Sequence, residues 1–193
     1  MASTLEHRLR PEVVANRALR AGTGWGLENL ETSLPRLRRM LRAARRVGSG
    51  RAAFLSTDVE DFFPSVSPDA VARALLASGV SRRDAAEAAA MLDGWGSLGY
   101  RGLPIGPPAS AVLANAVLRS VDDAVGVPFV RWVDDYLAIV GTEGEAGGVL
   151  ERIDEALAGL GLSRSSRKTR VGPNLGWLGS ALGASGGSGA ASA

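Results

Sequence analysis

The chain has 193 residues, a hydrophobic fraction of 46% and a formal net charge of +2, which fits one domain with a real core and excludes a protein that is basic throughout. It contains no cysteine and a single histidine, His7, so disulfides, cysteine-ligated zinc and a cysteine nucleophile are excluded, and histidine triads or histidine metal clusters are argued against. Chemistry is left to carboxylates, hydroxyls, guanidinium groups and metal, and the lack of a bilayer-length apolar run or a signal-peptide pattern makes the cytoplasm the default location, with no membrane partner.

Residues 1–10 read as irregular. Residues 10–19 read as a short helix with Pro11 in its first turn, interrupted by Gly22-Thr23-Gly24-Trp25-Gly26. Ser33 then caps a helix in which Leu34, Leu37, Leu41 and Ala44 recur at helical spacing, and Gly48-Ser49-Gly50 ends it. Arg36, Arg38, Arg39, Arg42, Arg45, Arg46 and Arg51 crowd this segment. Two readings stand: a solvated helix face, or a nucleic-acid-binding surface in which each neutralised phosphate releases counterions.

Residues 52–59 read as a strand with Asp58 near its end, and Phe62-Phe63-Pro64 turns the chain. Ser67 and Pro68 start a helix that runs to Ala77, and Ser81 with Asp84 opens a second one through Leu92. A Gly/Pro-dense loop over 99–110 precedes a helix of small and apolar residues over 111–125, whose Asp122 and Asp123 read as surface charges. Small residues there allow close approach by a strand or a ligand.

The run from Phe129 to Val140 is β-prone but carries Asp134 and Asp135 at its middle. A continuous strand would send the two carboxylates to opposite faces and bury one, at high cost. A hairpin with the pair at its turn resolves this. The pair is then either an ordinary turn or, with Asp58 from a neighbouring strand end, part of a divalent-cation site.

Thr142 and Glu145 read as a capping box opening a helix with an apolar stripe from Ala146 to Leu160. Short strands follow over 168–171 and 175–179. The order strand, helices, strand, strand, helix, strand predicts an α+β fold, a ferredoxin-like split βαβ with an antiparallel sheet and extra helices in the first crossover. The domain reading is a helical segment over 1–50 with the basic helix, a main unit over 51–180, and a disordered Gly/Ala/Ser tail over 181–193.

Four segments in order resemble the palm of a reverse transcriptase. Asp58-Val59-Glu60-Asp61-Phe62-Phe63 is similar to the family's first catalytic motif. Gly102-Leu103-Pro104-Ile105-Gly106-Pro107-Pro108-Ala109-Ser110 resembles its template-and-nucleotide loop. Arg131-Trp132-Val133-Asp134-Asp135 resembles its aromatic-x-Asp-Asp motif. Gly161-Leu162 with Lys168-Thr169, then Leu175-Gly176-Trp177-Leu178-Gly179, resembles its last two palm motifs.

The resemblance implies an RNA-directed DNA polymerase, a nucleotidyltransferase acting on dNTPs with an RNA or DNA template-primer. Asp58, Asp134 and Asp135 would be catalytic and would hold two Mg²⁺ ions, with Mn²⁺ as a substitute. Asp61, Phe63, Gly106 and Lys168 would bind the nucleotide, Phe63 crowding the ribose 2′-position. Arg36, Arg39 and Arg46 are the expected nucleic-acid contacts, and residues 1–50 would be a partial fingers-like segment.

The chain departs from the family in having Ile105 where a glutamine is usual, and Trp132 where Tyr or Phe is usual. The Ile-Gly-Pro loop is closer to bacterial abortive-infection and phage-defence reverse transcriptases. Full fingers and a thumb are not evident, so a truncated palm is expected, or one completed by a second chain or a structured RNA. Alternatives are a non-catalytic palm remnant that binds nucleic acid or a partner, and a metal-dependent nuclease.

Overall fold

The computed structural model describes residues 18–21, 24–27 and 53–172. A short antiparallel hairpin comes first, β1 (Ala18–Ala21) against β2 (Gly24–Leu27). Ala18 and Leu19, which the sequence assigns to the end of a helix, are strand instead, because only two residues separate the end of β1 from the start of β2 and that is hairpin spacing. The arginine-rich helix expected over 33–47, the strand expected over 175–179 and the tail lie outside the described residues, and Arg36, Arg39 and Arg46 with them.

Four strands make the main sheet: β3 (Ala53–Asp58), β4 (Phe129–Trp132), β5 (Asp135–Val140) and β6 (Arg170–Gly172). Their order is β4-β5-β3-β6, and every pairing is antiparallel. The end of β3 lies beside β5, with the β4–β5 hairpin folded outward from it, so Asp58 is opposite Asp135.

Register sorts the two faces. Ala53, Leu55 and Thr57 pair with Val140, Ala138 and Tyr136 on the face packed against the helices, and all six are buried. Phe54, Ser56 and Asp58 pair with Ile139, Leu137 and Asp135 on the other face. The acidic end of the sheet therefore belongs to the face away from the main core.

Between β3 and β4 run α1 (Phe62–Ser65), α2 (Pro68–Ala77), α3 (Arg82–Ser97), α4 (Pro108–Val117) and α5 (Arg119–Ala124). The expected caps form. Ser67 accepts from the Ala70 amide and Ser81 from the Asp84 amide, both at 3.1 Å. The single helix expected over 111–125 is two, divided at Leu118. From Ser110 to Val117 every residue of α4 is buried, as expected for a helix of small and apolar residues on all sides.

α6 (Glu143–Gly159) links β5 to β6. The Thr142 hydroxyl accepts from the Glu145 amide, and Glu145 Oε2 accepts from the Gly141 amide at 2.6 Å. Ala146, Val149, Ile153 and Leu157 are buried against the sheet. Each of the larger three contributes about 1.5–3 kcal/mol of burial, which fixes the helix's rotation.

Candidate metal centre

The β4–β5 hairpin closes through Val133 and Asp134, between the paired residues Trp132 and Asp135. Cross-strand pairing puts the Asp135 side chain on the same face as Asp58. One carboxylate oxygen from each of Asp58, Asp134 and Asp135 lies within 4.8 Å of the others. Asp58 is buried, Asp134 half-buried and Asp135 exposed, so the cluster has a closed floor and an open mouth.

Lys168 is the cation in contact. Its Nζ donates to Asp58 Oδ2 at 2.7 Å. The loop that carries it is fastened to the end of β3: the Ser165 amide donates to the Asp58 carbonyl at 2.8 Å, and the Glu60 amide to the Ser163 carbonyl at 2.9 Å. Arg164 forms a two-pronged pair with Asp154 at 2.8 and 2.9 Å and donates to the Thr169 hydroxyl at 2.8 Å. Thr169 in turn donates to the Ser165 carbonyl, so in its 2.8 Å contact with Thr57 the Thr57 hydroxyl is the donor.

Three carboxylates facing one ammonium are short of positive charge. Burial, then the nearby Asp58, pushes Asp134 up to about 6. Desolvation, then Asp58 and Asp134, pushes Asp135 up to about 7, although its open side lets solvent moderate the effect. The Lys168 ammonium is held above its ordinary value, chiefly by its hydrogen bond to Asp58. An oxygen-only donor set with excess negative charge suits a hard divalent cation such as Mg²⁺. The residues present therefore fit the metal.

Behind the turn lies a polar network that the sequence reading does not anticipate. Arg131 is wholly buried. Its Nε and Nη2 donate to the two oxygens of Asp122 at 2.8 and 3.0 Å, and its Nη1 donates to Asn115 Oδ1 at 3.1 Å and to the Val133 carbonyl. Tyr136 Oη donates to Asp122 Oδ1 at 2.9 Å. Asp122 is thus a buried counter-ion and not the surface charge read from the sequence; Asp123, its neighbour, is exposed. Burial, the largest single influence, would lower the Arg131 value, but the charge and hydrogen bond of Asp122 together with Tyr136 and Asp134 outweigh it and hold the guanidinium up. The missed signal was Arg131 itself, placed by strand alternation on the face that Phe129 buries.

The remaining expected nucleotide residues sit as follows. Asp61 is exposed with φ 40°, and Phe63 is half-buried, edge-on to Phe62 with ring centroids 5.3 Å apart. Gly106 is exposed with φ 114° in the loop before α4. That loop docks on the Phe63 turn: the Leu103 amide donates to the Phe63 carbonyl at 2.8 Å. Gly102, φ 63°, lies so close that a Cβ would meet the Phe63 oxygen at 2.1 Å.

A family model described as reverse transcriptase (RNA-dependent DNA polymerase) matches residues 7–182. No curated protein matches. Among solved structures, an apo telomerase from Candida tropicalis, truncated from its C-terminal domain, aligns at 11% identity and a TM-score of 0.49. The alignment covers 75% of this chain and 35% of that one, so the chain spans about a third of that structure.

Proposed function

Because the chain belongs to the reverse transcriptase (RNA-dependent DNA polymerase) family, we propose that it is a nucleotidyltransferase that extends a primer with dNTPs on an RNA template. The observation that carries this reading is the gathering of Asp58, Asp134 and Asp135, from two adjacent strand ends, within 4.8 Å beside Lys168. The order of the four strands supports a ferredoxin-like palm, in which the first and third strands lie side by side at the centre.

Asp58 and Asp134 would hold two Mg²⁺ ions, with Asp135 in support. When bound, such ions neutralise charge on the transferring phosphoryl group and make the primer hydroxyl a better nucleophile. The protein's own part is placement. Asp58 is held at the floor by β3 pairing, and the hairpin turn offers Asp134 beside it. Lys168 balances charge at the rim, where the triphosphate would approach. Phe63, anchored through Phe62, would crowd the ribose 2′-position and favour deoxynucleotides. Asp61 and Gly106 would flank the nucleotide.

The Ile105-Gly106-Pro107 loop supports placing the chain with the defence-associated branch of the family. Ile105 is 82% exposed, so where a glutamine is usual this chain offers an apolar side chain to the template. Purified protein with Mg²⁺, dNTPs and a primed RNA tests the activity. Extension that disappears in Asp134→Ala supports it; salt-sensitive nucleic-acid binding with no extension points to a non-catalytic binder.

A further inference from the structure

We propose that Arg131 is a positioning residue for the acidic turn, acting through the Val133 carbonyl. This rests on the reading of Asp58, Asp134 and Asp135 as the metal-binding set. Val133 has φ 59°, in the left-handed region, which a β-branched residue rarely adopts. Such a conformation persists only where the surroundings over-determine it. Here the two-residue hairpin turn sets the positive φ, and a buried side chain braces the valine that must adopt it. The Arg131 guanidinium donates to the Val133 carbonyl, and it has no freedom of its own, since Asp122 grips it at two points and Asn115 at a third.

The anchors come from separate elements. Asn115 is on α4, Asp122 on α5, Arg131 on β4 and Tyr136 on β5. Arg131 and Tyr136 are cross-strand partners, so the network clasps both legs of the hairpin just behind the turn. Both legs meet on one acceptor, Asp122 Oδ1, which takes Arg131 Nε and Tyr136 Oη together. Any slackening of this clasp moves the turn that carries Asp134 relative to Asp58 and Asp135, which are paired with each other across β3 and β5. The helical core thereby sets the spacing of the carboxylates on the opposite face of the sheet.

A purely structural ion pair predicts something different. A buried pair can be replaced by well-packed apolar side chains with stability kept. The triple variant Arg131→Met/Asp122→Leu/Tyr136→Phe removes the charges and the hydroxyl together. The test is Mn²⁺ binding to the full chain, followed by electron paramagnetic resonance, with thermal unfolding alongside. The expected result is a fold that melts near the wild-type temperature but binds Mn²⁺ at least tenfold more weakly. Tyr136→Phe, which removes a single hydroxyl, keeps the test readable if the triple variant does not fold; it is expected to weaken binding about threefold. Folded variants that bind Mn²⁺ as the wild type does overturn the proposal, while wild-type binding that Asp134→Ala abolishes leaves the metal-site reading standing. Wild-type binding indifferent to Asp134→Ala overturns both.

Discussion

Lys168 places its ammonium 2.7 Å from Oδ2 of Asp58, a residue 110 positions earlier in the chain. The two partners differ in exposure: the lysine side chain is 57% accessible and the aspartate 6%. The exposed ammonium is screened by water, so the pair adds little to stability, about 1 kcal/mol or less. Its larger effect is on the charge of the cluster. Lys168→Met is expected to tighten Mg²⁺ binding about fivefold, because a competitor for Asp58 is gone, and to lower kcat/KM for dNTP about tenfold or more. Mg²⁺ titration calorimetry and steady-state incorporation kinetics check the two opposed effects.

Gly102 stands where the loop touches the Phe63 turn, and a methyl group has nowhere to go. Gly102→Ala combines a clash with backbone atoms, the Phe63 oxygen at 2.1 Å, with a φ of 63°. A loss of about 2–4 kcal/mol is expected. Gly99→Ala has a positive φ, 89°, but open space around it, and should cost only about 1 kcal/mol. Urea unfolding of both variants separates the steric part from the conformational part.

The carboxylate crowding gives a pH dependence with a definite sign. In the folded, metal-free protein Asp135 is raised from 3.8 to about 7. The folded state thus holds a proton that the unfolded state releases, so the stability it contributes is full below about 3.8 and is lost as pH rises through about 7. Asp135→Asn cannot ionise. In EDTA its stability relative to wild type should rise steadily from pH 4 to pH 8. Saturating Mg²⁺ should erase or reverse that gain. Melting temperatures at four pH values, with and without Mg²⁺, check the prediction.

Much of this site is legible in the chain itself, because its parts obey local rules. Asp58 and the Asp134–Asp135 pair each interrupt a β-prone run, where an unpaired buried carboxylate is too costly for mid-strand. Ser67, Ser81 and Thr142 sit one residue ahead of helices and cap them as side-chain chemistry requires. Asp122 was not legible. Beside Asp123 on a helix it has the look of a solvated pair, and only the tertiary structure brings it to Arg131 of β4. The left-handed Val133 is hidden because valine resists that region: the two-residue turn demands a positive φ there, and a guanidinium fixed by two helices braces its carbonyl. The strand order was legible in outline, but which strand neighbours Asp58 depends on how the hairpin folds across the sheet.

On the proposed reading the three carboxylates act together through a shared divalent cation. The most direct measurement is primer extension by the purified chain on a primed RNA with dNTPs, across a Mg²⁺ titration, beside Asp134→Ala. Extension is expected to require Mg²⁺ and to fall at least a thousandfold in the variant, about 4 kcal/mol of transition-state stabilisation, with the melting temperature unchanged or raised. Extension that persists in Asp134→Ala, or that proceeds in EDTA, would contradict it.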